Sequence, residues 1–200
     1  MKQNNLLLIL AIVAVVVAMA NAFIALNKVN SLTGHATEEG YANLTVSSTV
    51  NINFSQDTVN WGEGIVDVGE DNATLDTVGP TVTGGNWTTT GVEPLILENI
   101  GNVNATINMR AASSAQDFLG GTSPAYEWNF TNNEANSCTQ GAGVTLGSYA
   151  STSTSNTEVC APLNYLTGQN SLQIDIRLTV PYNSKIGSLS DTITAEATAA

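Results

Sequence analysis

Leu172–Val180 reads LQIDIRLTV. Leu172, Ile174, Ile176, Leu178 and Val180 fall on one side of an extended chain, and Gln173, Asp175, Arg177 and Thr179 on the other. Side chains of a β-strand point alternately to opposite faces. A period of two with one apolar row therefore marks a strand with one buried face. Pro181 ends it, because proline cannot donate to a ladder.

The same period recurs outward from this segment. Asn43 to Phe54, NLTVSSTVNINF, sets Leu44, Val46, Ser48, Val50, Ile52 and Phe54 against Asn43, Thr45, Ser47, Thr49, Asn51 and Asn53. This predicts one long strand, or two joined by a bend at Ser48. Val103–Arg110, Tyr126–Phe130 and Ile193–Thr198 alternate likewise, and weaker strands are expected near Gly64–Val68, Thr74–Val82 and Pro94–Ile100. Gly101-Asn102 suits a tight hairpin between two of these runs. Ile186-Gly187-Ser188 leads into the last run, and Gly141 to Thr157, rich in Gly, Ser and Thr, reads as an exposed loop. Beyond the N-terminus a helical period is absent, apart from a short turn at Ala111 to Phe118. Roughly seven to nine short strands with one apolar face each predict an all-β antiparallel sandwich. Trp61, Trp128, Phe54 and Phe130 are expected in its core.

One segment stands apart. Leu6–Leu26, LLLILAIVAVVVAMANAFIAL, has Asn21 as its only polar residue. As a helix it is about 30 Å long, the thickness of a bilayer's hydrocarbon core. It is apolar all round, unlike a surface helix of a soluble protein, which has one apolar stripe. Three readings fit it. It is a cleaved secretory signal, with Lys2 before it and small-x-small sites at Ala18-Met19-Ala20 and Ala20-Asn21-Ala22. It is a retained anchor, since apolar character continues through Phe23, Ile24 and Leu26. Or it is a filament-core helix, in which Leu6, Ile12, Val16, Phe23 and Leu26 pack against other copies. All three place the rest of the chain outside the membrane. The expected organisation is an apolar helical region at 1–34, a short polar tether at 35–42 and an extracellular sandwich at 43–200.

The formal net charge is −12, with five Lys and Arg against 17 Asp and Glu. Lys2 and Lys28 flank the apolar segment and every acid lies beyond it, so the body carries 3 basic and 17 acidic residues, or −14. Such a surface repels phosphate backbones and excludes nucleic acid as a partner. Cys138 and Cys160 are the only cysteines. An even number in an exported chain favours a disulfide, with two buried thiols as the alternative. The lone histidine, His35, is remote from both and there is no CxxC, so a zinc site is not expected.

Asn-x-Ser/Thr occurs at Asn43, Asn53, Asn72, Asn86, Asn104 and Asn129. Asn43, Asn53, Asn104 and Asn129 fall on predicted polar faces, where a glycan could attach. Asp67, Glu70 and Asp71 lie in a glycine-rich acidic stretch whose oxygens suit calcium, but the spacing is not that of a DxDxDG loop. A solvated acidic loop is the plainer reading, and no metal or other cofactor is assigned. Trp87, in GGNWTTTG, is the best candidate for an exposed aromatic that stacks on a sugar or partner. Catalysis has no visible seat. His35 falls in the tether, GxSxG is absent, and no spacing singles out a carboxylate pair. A non-enzymatic protein is expected.

An apolar N-terminal helix followed by an Asn/Thr-rich, sequon-bearing sandwich resembles archaeal surface-filament subunits, the type IV pilin-like and archaellin-like proteins. LILENIGNVNATINMR at 95–110 and DIRLTVPYNSKIGSLSDTITAEA at 175–197 also resemble sandwich fibre subunits of the camelysin/TasA type. The chain differs from bacterial pilins in that Leu6–Leu26 holds no acid. The resemblance implies a structural cell-surface protein that polymerises with copies of itself after passing through the membrane. The alternative is a secreted or membrane-anchored adhesion or binding module. A third route is assembly by strand exchange after loss of the apolar segment.

Overall fold

In a computed structural model the described residues are 2–32 and 44–200. The chain divides into two compact units, Met1–Thr45 and Val46–Ala200. The predicted tether at 35–42, His35 and the Asn43 sequon lie outside the described residues.

The first unit holds α1 (Lys2–Leu32), which contains Leu6, Ile12, Val16, Phe23 and Leu26. Helix forms here although the segment is rich in valine, because β-branching lowers helix propensity only slightly, and neither glycine nor proline interrupts the run.

The second unit contains β1 (Ile52–Gln56), β2 (Asn72–Asp76), β3 (Thr81–Thr83), β4 (Leu95–Asn99), β5 (Ala105–Ala111), α2 (Ala115–Phe118), β6 (Ala125–Asn132), β7 (Cys138–Gln140), β8 (Ala150–Ser151), β9 (Thr157–Leu163), β10 (Ser171–Pro181) and β11 (Ile193–Ala199). They form two antiparallel sheets, one of seven strands and one of four in the order β11-β5-β9-β7. The fold is the expected sandwich preceded by a helix, with 11 strands where about seven to nine were expected.

The seven-stranded sheet is built around β10. One edge of β10 is covered by β6, from Leu172↔Asn132 to Thr179↔Ala125. The other edge is shared. β4 takes Ser171 to Ile174 and β2 takes Arg177 to Pro181. β1 extends the sheet beyond β4, β3 beyond β2, and β8 beyond β6. The apolar row of β10 is buried with Trp128, Phe130, Leu97 and Ile107. Burial alternates strictly along β5, as the period of two requires.

Five expectations need correction, the first being Gly64–Val68, which forms only an isolated bridge between Val66 and Gly85 and no strand. Only Ile52–Gln56 of the predicted Asn43–Phe54 strand is regular, and Leu44 and Val46 are 87% and 76% exposed. Over residues 47 to 51 no strand pairs. Asn102 instead holds Ser47 and Thr49 through its side chain, and Ile100 donates to the Asn51 carbonyl. Gly101-Asn102 is not a hairpin, because β4 and β5 belong to different sheets. A glycine is needed there for room, since a Cβ on Gly101 would collide with the Thr49 carbonyl oxygen. Thr74–Val82 is not one strand but the β2–β3 hairpin, turned with Gly79 at φ 53°. Finally, Gly141 to Thr157 is mostly exposed but carries β8.

Candidate functional site

The most conspicuous functional element is α1. From Leu7 to Lys28 it is long and apolar enough to cross a membrane, and none of this span is buried within the chain. Its bulky side chains, among them Ile12, Val16, Phe23 and Leu26, are exposed. A helix apolar on every side gains stability only where water is absent, in a bilayer or against other apolar helices.

Cys138 and Cys160 form the expected disulfide between β7 and β9, with Cα atoms 5.6 Å apart. The segment it closes leaves the four-stranded sheet at β7, pairs with β6 of the other sheet through β8, and returns as β9. On the way Gly147 donates to the Phe130 carbonyl. Tyr149 then reaches across the face of β6. Its hydroxyl donates to Asp76 Oδ1, and the Arg177 guanidinium lies 3.9 Å from its ring centroid. Arg177 Nε donates to Glu127 Oε2 at 2.9 Å. This strap is a tie between the two sheets that lacks any periodicity to announce it.

Beneath it one residue of the predicted polar face of β10 is closed to solvent, and its neighbours Gln173, Arg177 and Thr179 are half-buried. Asp175 is only 1% exposed. Its carboxylate accepts from Gln173 Nε2 at 2.9 and 3.1 Å and from the Thr77 hydroxyl at 3.2 Å. Burial raises the Asp175 pKa against the pull of those donors, and the Asp76 carboxylate adds to the rise. Thr77 completes the ladder where β4 gives way to β2. Its hydroxyl accepts from the Ile176 N–H at 2.9 Å, and its own N–H donates to the Ile176 carbonyl. The Asp175 carboxylate and the Thr77 hydroxyl both have structural partners, and Arg177 lies close by.

The sequons divide by position. Asn53, Asn72 and Asn86 are exposed, and Asn104 is half-buried. Asn129 faces Asp175 across the β6–β10 ladder and is only 6% exposed, with its Oδ1 buried and without a hydrogen-bond partner. The expectation that a glycan could attach there is corrected, since the folded face has no room for one. Trp87 is also not a free aromatic. It is half-buried against the core, and a Cβ on Gly64 or Gly85 would collide with its ring. Trp61 and Trp128 are buried as expected, and Phe54 packs on the core from the edge. Asp67, Glu70 and Asp71 are exposed, and among the described residues no three His, Cys, Asp or Glu side chains converge on a metal site.

The fold and these features define a β-sandwich carried behind an apolar, membrane-length helix. No family model, curated protein or solved structure matches the chain.

Proposed function

We propose that the chain is a structural cell-surface protein, a subunit of an extracellular pilus-like filament. The helix packs in the filament core and the acidic sandwich faces solvent. The observation that carries this reading is the unburied helix from Leu7 to Lys28 beside a sandwich that has a complete core of its own. The sandwich has a core made of its own residues, and on this reading the apolar surface of the helix serves contacts with other copies. The −14 balance of the body keeps the outer surface soluble and sets copies apart except where the helices meet. Before assembly the same helix holds the subunit in the membrane. Exposed sequons at Asn53, Asn72 and Asn86 are places where glycans would decorate the outer surface.

A strand-exchanging fibre is the second reading. It is favoured by β11, seven residues long and paired only with β5, because an unpaired edge is a template for another chain.

N-terminal peptide and intact-mass analysis of material sheared from whole cells tests both. Long polymers whose subunits retain Leu6–Leu26 support the helical core. A chain beginning near Asn21 or Phe23 overturns it and leaves strand exchange or a secreted binding module. Val16→Asp should abolish polymers while leaving a folded sandwich, since a charge in the helix centre is costly in apolar surroundings. Normal filaments from that variant would refute the proposal.

A further inference from the structure

Asn21 is the one polar side chain between Leu6 and Leu26, and it is exposed on a span that is nowhere buried in the chain. It stands seven residues before Lys28, about 10 Å inside the end of the span at 1.5 Å per residue. At that depth, in a bilayer or in a packed helical core, water does not reach the amide. An amide has two donors and two acceptor positions. Its own helix leaves few groups free to meet them, because backbone N–H and C=O in a helix interior are already paired. Leaving the rest unmet is costly in apolar surroundings.

The residues around Asn21 indicate where the missing partners come from. Ala11, Ala14, Ala18, Asn21, Ala25 and Lys28 are spaced alternately three and four apart, and Ala22 flanks the row. A three-four alternation, which averages about 3.5 when repeated, is the seam of two helices wound about each other. Ile9, Ile12, Val13, Val16, Met19, Phe23 and Ile24 lie off this seam. The helix is equally apolar all round, so its asymmetry is one of side-chain size. The narrow side is where two backbones can approach, and the single amide sits on it.

We infer that Asn21 pairs with Asn21 of a second copy of this chain, fixing the register at which two α1 helices pack. This rests on the filament reading and refines it. Small residues alone would let the helices slide past one another by a turn. An amide that finds a donor and an acceptor only opposite its own counterpart selects one register, as a buried asparagine does in coiled coils.

The test uses the full-length chain in phosphatidylcholine vesicles. Association is read by energy transfer between donor- and acceptor-labelled copies on dilution into lipid. The expectation is that Asn21→Leu weakens association by about threefold to thirtyfold, the range of interhelical amide hydrogen bonds in membranes, while Asn21→Gln retains most of it. In the same vesicles Ala14→Cys should cross-link to dimers and Val16→Cys should not. If Asn21→Leu associates as tightly as the parent chain, the inference fails and the filament reading survives on packing alone. If the parent chain with its helix intact does not associate at all, both fail. Circular dichroism of each variant checks that the sandwich is unchanged.

Discussion

Thr77 shows how much can hang on one hydroxyl. β10 hands its edge from β4 to β2 between Ile174 and Arg177, and the Thr77 side chain fills the gap. Thr77→Val keeps the shape but leaves the Ile176 N–H without a partner in a buried place and takes one of two donors from Asp175 Oδ1. An unsatisfied buried group costs about 1–3 kcal/mol. That loss should appear as a lower urea midpoint for the full-length chain in detergent, read by tryptophan fluorescence. Asp175 carries a pH signature of opposite sense to most carboxylates. Its proton is held more tightly in the folded chain than in the unfolded one. Its contribution to stability is therefore complete below the ordinary carboxylate pKa and is lost as pH rises through the folded value. Relative to the parent, Asp175→Asn should gain stability between pH 3 and pH 7. A difference that does not change with pH would show that Asp175 ionises normally. The alternation in LQIDIRLTV identifies Asp175 as a residue of the polar face. It says nothing of what covers that face, because the cover is Tyr149, supplied by a strap with neither apolar nor helical period. Asn129, opposite Asp175 in the ladder, is buried while Asn53 and Asn104 on polar faces are not, and the alternation does not show this.

At the scale of elements, a regular period needs a partner strand before it becomes a regular element. β10, β6 and β5 are legible in the sequence because each lies between neighbours and buries one full row of side chains. Asn43 to Phe54 has an equally clean period, yet only its last part finds a partner strand, and a pattern alone cannot supply one. β7, β8 and β9 escape notice for the converse reason. They are short or mixed in composition, and their places are set by the disulfide and by pairing with β5 and β6. The Cys138–Cys160 bridge spans a separation of 22 residues. Replacing both cysteines with serine should cost about 3 kcal/mol by the chain-entropy argument for a loop of this length. The loss should register in the same urea titration, with Tyr149 and the strap loosening first, as seen by faster amide exchange at Gly147 and Thr152 than at β10. The α1 helix is the reverse case. Its length and composition make it unmistakable, whereas its seam shows only when side-chain size is followed instead of polarity.

At the scale of the whole molecule, the two units answer to different solvents. Val46–Ala200 closes its own core and is strongly acidic, while the span Leu7–Lys28 has no buried surface of its own. A chain begun at Val46 and oxidised should therefore be a soluble, folded monomer with the β-sheet circular dichroism of the intact protein. Aggregation of that fragment, or failure to fold, would show that the helix supports the sandwich. The sandwich and the apolar helix were both readable from the sequence, since each is written in a repeating period. The function is less so, because among the described residues no metal site narrows it, and the reading rests on where an apolar surface is left over.

The position of β10 in the chain also sets an order of events. Ser171–Pro181 lies near the C-terminus, yet β2, β4 and β6 all hydrogen-bond to it. During synthesis the first 170 residues have no central strand to join, so this sheet cannot close until almost the whole polypeptide has been made. Contacts so distant in sequence also form slowly. The larger sheet therefore stays open, and the chain threadable, until β10 has been made.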